Sequence, residues 1–403
     1  MATIAFVGVP AHGHINPTLA VVEELLHRGH RVVYYSTKAF EDKITSSGAE
    51  FRGYESIVED IRTSFQFGAR EVANVFLLSA LVMEGTELLM PRLEADIVDL
   101  APDLIVHDAV SVWGKLIARR QGIPAVASIT TFALNMRAIM VSSYSCMQAL
   151  RFLATSIPSL IRCMCASWRV RRQYGRPLRP LMDIFINEEP VNLVFTSTLF
   201  QPAADSFPNS YRFVGPSIRP TPPDPDFPWE ALENTPVIYI AMGTIFNEMV
   251  AFYRLCFEAF RDWEGRVVMS VGANTDIAGL GPCPENFIVR GHVPQFAVLG
   301  RASVFITHGG MNSVSESILQ HTPMVVVPQG ADQFMVADRV AQLGAGIRLR
   351  PSSLDAGRLQ ASAEQVLAGQ SYQERVAAIA QSYHEAGGYR RAVDVILEQL
   401  DSV

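Results

Sequence analysis

The 403-residue sequence predicts an α/β protein built from two doubly wound parallel-sheet domains. Three observations carry that expectation. Short apolar runs alternate with helix-length segments, a proline-rich break interrupts the alternation near the middle, and the same rhythm restarts after it.

The run TIAFVGV opens the chain, continuously apolar as a strand buried on both faces should be. Asn16 is placed to cap a helix with Pro17 at its first position, and that helix carries Leu19, Val22 and Leu26 at helical spacing before Gly29. RVVYYS reads as the second strand. VANVFLLSALVM (72–83) and AIMVSSYSCMQAL (138–150) read as buried helices, since neither reaches the roughly 18 uncharged apolar residues of a membrane span. DLIVHD (103–108), a helix to about Gly122 and PAVASI (124–129) repeat the strand–helix–strand unit. The stretch GPSIRPTPPDPDFPWEALENTP (215–236) holds seven prolines and no periodicity, the signature of a linker. Five further strands follow: PVIYIAMG, RVVMSVG, FIVRGHV, SVFITHGG and PMVVVPQG. The expected division is an N-terminal domain (1–214), a linker (215–235), a C-terminal domain (236–385) and a final helix (386–403).

Bulk properties narrow the function classes. A formal charge of −7 argues against a general nucleic-acid binder. Cys163 and Cys165, two of five cysteines, form a CMC with no second ligand pair, which fits reduced thiols and a cytoplasmic protein. The N-terminus runs directly into a strand with no basic leader, so secretion is not expected. One segment stands apart: from Arg137 to Met182 there are eight arginines, no lysine and no acidic residue. Its arginines read either as stems snorkelling from helices that cover the first domain, or as contacts to an anionic acceptor or a membrane surface.

Ligands of doubly wound sheets sit beyond the carboxyl ends of the strands, so the loops there are where chemistry belongs. In ITHGGMNSVSES (306–317), two glycines let the backbone approach a ligand, a helix N-terminus supplies amides, and His308 adds a donor. That combination suits a phosphate or pyrophosphate; the plainer alternative is that Ser313 and Glu316 form a capping box. Asp332 and Gln333, after VVVPQGA, offer a carboxylate and an amide suited to sugar hydroxyls. Val293 and Gln295 follow another strand, and Gly243 and Thr244 a fourth. No G-x-G-x-x-G follows the first strand, and no P-loop occurs. In PAHGHINP (10–17), His12 and His14 lie one residue apart beside the first strand. A neutral histidine near pH 7 suits removal of a hydroxyl proton, and a carboxylate behind it would fix its tautomer. Asp108 ends a strand of the same domain and can reach that loop. Its neighbour His107 should point to the opposite side of the strand and read as structural. Asp224-Pro225-Asp226 has the D-x-D pattern of a metal site but lies in the linker with no strand to position it.

The stretch HVPQFAVLGRASVFITHGGMNSVSESILQHTPMVVVPQGADQ resembles the donor-sugar signature of the UDP-glycosyltransferase superfamily, and AHGHINPTLA…GHRV resembles its bacterial macrolide- and flavonoid-type members. The resemblance implies a GT-B fold, two Rossmann-like domains facing across a cleft, with the last helix crossing back to the first domain. It implies that His308 with Gly310, Asn312 and Ser313 holds the pyrophosphate and that Glu316 binds the ribose. Val293 and Gln295 would fix the uracil, Gly243 and Thr244 would touch the phosphates, and Asp332 with Gln333 and Thr131 would reach the sugar. His292 stands where plant relatives stack a tryptophan on uracil, a smaller surface that leaves dTDP-sugars open as donors. The catalytic pair implied is His14 as base and Asp108 as its orienter. The activity expected is inverting, metal-independent transfer of a sugar, glucose from UDP-glucose, to a hydroxyl of an apolar small molecule, with no cofactor beyond the nucleotide-sugar co-substrate. The apolar 60–90 and 130–180 regions would wall the acceptor. Alternatives are a nucleotide-sugar epimerase, lacking such a His–Asp pair, or a binding protein that has lost catalysis.

Overall fold

In the computed structural model, the described residues are 1–57, 74–141, 157–175, 188–219, 224–243, 249–330 and 332–402. The chain divides into two compact units, Met1–Ile218 with Tyr383–Val403, and Arg219–Ser382. Thirteen strands are described: β1 (Thr3–Val7), β2 (Arg31–Ser36), β3 (Glu50–Gly53), β4 (Leu104–Asp108), β5 (Ala125–Ile129), β6 (Val191–Val194) and β7 (Tyr211–Phe213) in the first unit. The second unit holds β8 (Val237–Ala241), β9 (Arg266–Ser270), β10 (Phe287–Arg290), β11 (Val304–Thr307), β12 (Met324–Val326) and β13 (Gly346–Arg348).

Both sheets are parallel and wound the same way. The first runs β3-β2-β1-β4-β5-β6-β7, the second β10-β9-β8-β11-β12-β13. In each, the order reverses once, between β1 and β4 and between β8 and β11, and a ligand-binding crevice forms where the strand ends diverge at such a point. Alternation along the strands fills both faces of the first sheet. Ala5, Val7, Val33, Tyr35 and Ile105 face helices Val75–Leu100, Val112–Gln121 and Ile157–Tyr174. Ile4, Phe6, Val32, Tyr34, Leu104 and Val106 face the opposite way, toward helix His12–His27 and the C-terminal helix Gly388–Asp401. Arg28 donates to Asp394 at 2.6 Å, tying those two helices together. In the second unit, Ile238, Ile240 and Met242 pack with Phe252, Cys256 and Phe260 of helix Val250–Phe260 and with Leu359 and Ala363 of helix Ala356–Ala368.

The long apolar runs of the sequence are the inner strands. The short, polar-rich strands β3 (EFRG), β6 (VNLV), β7 (YRF) and β13 (GIR) were not among the expected elements; all but β6 lie at sheet edges, where pairing on one side alone asks for little apolar signal. The first helix also differs from expectation. It begins at His12 with Ala11 as its cap, Pro17 lies inside it, and the Asn16 side-chain Oδ1 accepts from Lys43 Nζ at 2.6 Å instead of capping. His14 therefore rides on the first helical turn and not in a loop ahead of it. From Val75 onward the 72–83 run lies in one helix, Val75–Leu100, capped by Asn74; residues 72 and 73 lie outside the described residues. Of the 138–150 run, only the end of helix Met136–Val141 is described; the rest lies outside the described residues. No helix among the described residues is long and apolar enough to cross a membrane.

Candidate functional site

In the first unit, the strand-order reversal places the start of helix His12–His27 beside the end of β4, because β1 and β4 pair in parallel with Val7 opposite His107. His14 Nδ1 lies 2.8 Å from Asp108 Oδ2. The carboxylate is held in turn: its Oδ1 accepts from the Val110 amide at 2.8 Å, and its side chain is only 4% exposed. His14 is 25% exposed, so the pair has one buried and one solvent-reaching member. With Nδ1 committed to the carboxylate, the proton-accepting position of a neutral ring is Nε2. Thr130, just beyond β5, brings its Oγ to 3.2 Å from the same Nδ1 and is itself buried. Thr130 was not among the expected site residues; its neighbour Thr131, expected at the donor sugar, is half-buried. Strand pairing held the signal, since Asp108 pairs with Ser128, two residues upstream.

A polar layer underlies the pair. Tyr34 OH and Thr18 Oγ are hydrogen-bonded at 2.8 Å beside a small cavity lined also by Gly8, His14, Asp108 and Ser128. A Cβ on Gly8 would come within 2.8 Å of the Tyr34 ring, so glycine is what lets that ring pass under the end of β1. His12 packs edge-on against Phe40 at 4.9 Å, and burial together with the Lys43 charge lowers its pKa. His107 turns to the other face of β4, fully buried, with Nε2 3.4 Å from Glu189 Oε1. Burial pushes the Glu189 carboxyl up, but His107, Lys115 and Arg119 outweigh it and hold the group low.

In the second unit, the corresponding reversal brings β8 and β11 together, with Thr307 opposite Ala241. The loop after β8 then meets the loop after β11. A Cβ on Gly243 would lie 2.5 Å from His308 Nε2, and one on Gly310 2.6 Å from the same atom. The imidazole thus occupies a slot that exists because both positions are glycine, Gly243 also adopting φ +81°. Gly309 has φ +85°, and its missing side chain would strike Val326 on β12 at 2.7 Å. Burial lowers the His308 pKa to about 4 despite a hydrogen bond to the Ala241 carbonyl. The ring is neutral at pH 7, so the charge-complementing group at this loop is the N-terminal end of helix Met311–Leu319, capped by Gly310 and carrying Asn312 and Ser313 in its first turn.

Gln295 organises the next shell of contacts. Its Nε2 donates to Glu316 Oε2 at 2.7 Å and to Ser313 Oγ at 3.3 Å, while its Oε1 accepts from Tyr239 OH at 3.2 Å. The capping-box alternative for Ser313 and Glu316 fails here: the cap is Gly310, with no side-chain cap bond, and both side chains turn to Gln295. Val293 is buried and His292 exposed on the same loop. Asp332 caps helix Gln333–Gln342 by position, and Gln333 Oε1 accepts from the Gln329 and Gly330 amides at 2.8 and 3.1 Å. That carbonyl closes the loop, and the NH₂ is the donor end of the same side chain. Thr244 lies outside the described residues. Asp224 and Asp226 sit in an exposed turn that closes on itself, with the Asp226 amide donating to Asp224 Oδ1 at 3.0 Å.

Residues 254–386 match the family described as erythromycin biosynthesis protein CIII-like, C-terminal domain. Over 400 residues the chain is 35% identical to the uncharacterized UDP-glucosyltransferase YojK of Bacillus subtilis strain 168, covering 99% of this chain and 97% of that protein. It is 30% identical over 412 residues to the oleandomycin glycosyltransferase of Streptomyces antibioticus, covering 99% and 91%. Among solved structures, the calicheamicin glycosyltransferase CalG4 superposes with a TM-score of 0.78 at 30% identity, over 100% of this chain and 99% of that one. Two doubly wound parallel sheets, a His–Asp pair at one strand-order reversal, a glycine-walled histidine at the other and these full-length likenesses agree: the chain belongs to the UDP-glycosyltransferase superfamily, in its bacterial macrolide-type branch, and is a GT-B glycosyltransferase.

Proposed function

We propose that this glycosyltransferase moves glucose from UDP-glucose to a hydroxyl of an apolar small molecule, inverting the anomeric centre without a metal. The observation that carries the reading is the 2.8 Å contact between His14 Nδ1 and Asp108 Oδ2 at a strand-order reversal. His14 Nε2 takes the proton of the acceptor hydroxyl as its oxygen forms a bond to the anomeric carbon. The bond from that carbon to the diphosphate oxygen breaks, and its electron pair leaves with UDP. Asp108 stabilises the imidazolium that results. Attack opposite the leaving group turns an α-linked donor into a β-glycoside.

On the donor side, the N-terminus of helix Met311–Leu319, with Gly243, His308, Gly310, Asn312 and Ser313, would take the diphosphate. Glu316, presented by Gln295, would take the ribose. Val293, Gln295 and His292 would meet the base, and Asp332, the Gln333 amide and Thr131 the sugar, with Thr244 also near the phosphates. Backbone amides and a helix dipole complement an anionic leaving group without a cation, which supports the metal-independent reading. YojK carries the name of an uncharacterized UDP-glucosyltransferase, and that name supports glucose over other sugars here.

The test mixes the protein with UDP-glucose and a panel of phenolic, macrolide and steroid acceptors in a chelator, with products read by mass spectrometry. Glycosides are expected. The absence of both product and UDP release with every acceptor would overturn the reading. His14→Ala should lower kcat by roughly 10²-fold or more and leave UDP affinity unchanged. Normal turnover in that variant would remove His14 from the mechanism. Asp108→Asn should lower kcat in the same direction.

A further inference from the structure

The helix Ile157–Tyr174 is inside out. The residues it buries against the first unit are small or medium: Cys163, Ala166, Ser167 and Val170. Four of its larger apolar side chains point to solvent instead, while Tyr174 stays packed against the core: Ile157 is 52% exposed, Ile161 56%, Met164 53% and Trp168 59%. These recur at i, i+4, i+7 and i+11, so they form one stripe, about 16 Å long at 1.5 Å per residue. Scattered exposed apolar residues need no explanation, but a continuous stripe of four does. At its carboxyl end the Arg172 guanidinium lies over the Trp168 ring at 5.3 Å, and Arg171 is adjacent. Along one side, Arg162 and Arg169 are held upright by Glu84 and Glu87 of helix Val75–Leu100, at 2.7–2.8 Å in forked pairs.

Charge identifies the occupant. The segment from Arg137 to Met182 has eight arginines and no acidic residue in a chain of net charge −7. Among the described residues, neither Arg171 nor Arg172 has a carboxylate within ion-pair reach. A second copy seated on this stripe by a two-fold axis would set Arg171 and Arg172 against their own copies, with Glu84 and Glu87 already committed to Arg162 and Arg169. An apolar acceptor would cover the stripe but leave the Arg171 and Arg172 charges unanswered. An anionic lipid surface supplies both halves of the complement, an apolar layer for the stripe and phosphates for the arginines, and tryptophan favours that boundary.

We propose that helix Ile157–Tyr174 docks the protein on an anionic membrane surface, with Ile161, Met164 and Trp168 entering the headgroup layer and Arg171 and Arg172 meeting lipid phosphates. The test is flotation of the full chain with vesicles of phosphatidylcholine and phosphatidylglycerol in equal parts, against phosphatidylcholine alone. Wild type floats with the anionic vesicles at low salt and several-fold less in 0.5 M salt. Arg171→Glu/Arg172→Glu and Ile161→Ser/Met164→Ser/Trp168→Ser each lose about tenfold or more of that partition, with unchanged melting temperature and UDP affinity showing that they fold. Brominated lipid quenches tryptophan emission in wild type and not in Trp168→Phe, a readout that a misfolded triple variant does not compromise. Failure of wild type to float with anionic vesicles overturns the proposal, as does equal flotation of the variants. So does a fall from dimer to monomer mass in the triple variant without any vesicle binding, which would make a second copy the occupant.

Discussion

A methyl group added at Gly310 would stand 2.6 Å from His308 Nε2. Nothing flexible separates the two, because the imidazole is buried against the loop after β8. Gly310→Ala is therefore expected to push the ring out of its slot, at about 1–3 kcal/mol of overpacking. Gly243→Ala meets the same ring at 2.5 Å and adds the strain of φ +81°, another ~1–2 kcal/mol. Calorimetric titration with UDP should show both weakened by roughly tenfold or more, with Gly243→Ala the worse in thermal melts. An alanine variant at either position that binds UDP like wild type would show that the histidine slot is not part of the donor site.

His308 makes a pH prediction whose sign follows from its burial. Its pKa falls from 6.5 in the unfolded chain to about 4 in the folded one, so protons favour the unfolded state. The stability this group contributes is fully present above about pH 6.5 and is lost as pH falls through about 4. At one pKa unit per 1.36 kcal/mol the total is on the order of 3 kcal/mol. Melting temperatures measured between pH 7 and 4 should therefore drop less steeply in His308→Asn than in wild type. Parallel slopes would mean that the ring protonates without opposing the fold.

Thr130 shares the Nδ1 side of His14 with Asp108, at 3.2 and 2.8 Å. Two acceptors on that N–H fix the ring's orientation and tautomer more firmly than Asp108 alone. Thr130→Val should reduce kcat severalfold with KM for the donor unchanged, and Thr130→Ser should restore it. A kcat identical to wild type in the valine variant would assign Thr130 to packing alone.

Gln295 holds Glu316 and Ser313 at once, and Gln295→Ala leaves the Glu316 carboxylate without its 2.7 Å donor. The stability cost is about 1–3 kcal/mol for a half-buried bond to a charged group. UDP affinity should fall, while affinity for a ribose-lacking mimic such as pyrophosphate should change little. Equal losses for both ligands would move Gln295 from the ribose to the whole loop.

The sequence by itself determined the architecture. TIAFVGV, DLIVHD, SVFITHGG and PMVVVPQG are inner strands whose two buried faces demand uninterrupted apolar residues, and period and length made them legible. The edge strands β3, β7 and β13 were not, because a strand paired on one side needs no such run. The start of the first helix was misplaced since Asn16 and Pro17 mimic a cap, whereas the chain turns helical at His12 and tolerates the proline inside. Residue types at strand ends also marked His14, Asp108, His308 and the glycines, for there the backbone must turn and polar groups can meet. What tertiary structure decided was which polar atoms are spoken for. Strand order puts Asp108 beside His14, and β5 adds Thr130; Gln295 captures Glu316, and Gln333 spends its carbonyl on its own loop. Hydrogen bonds between residues a hundred positions apart leave no spacing in the chain, and burial, which makes His308 neutral, is a property of the packed state alone.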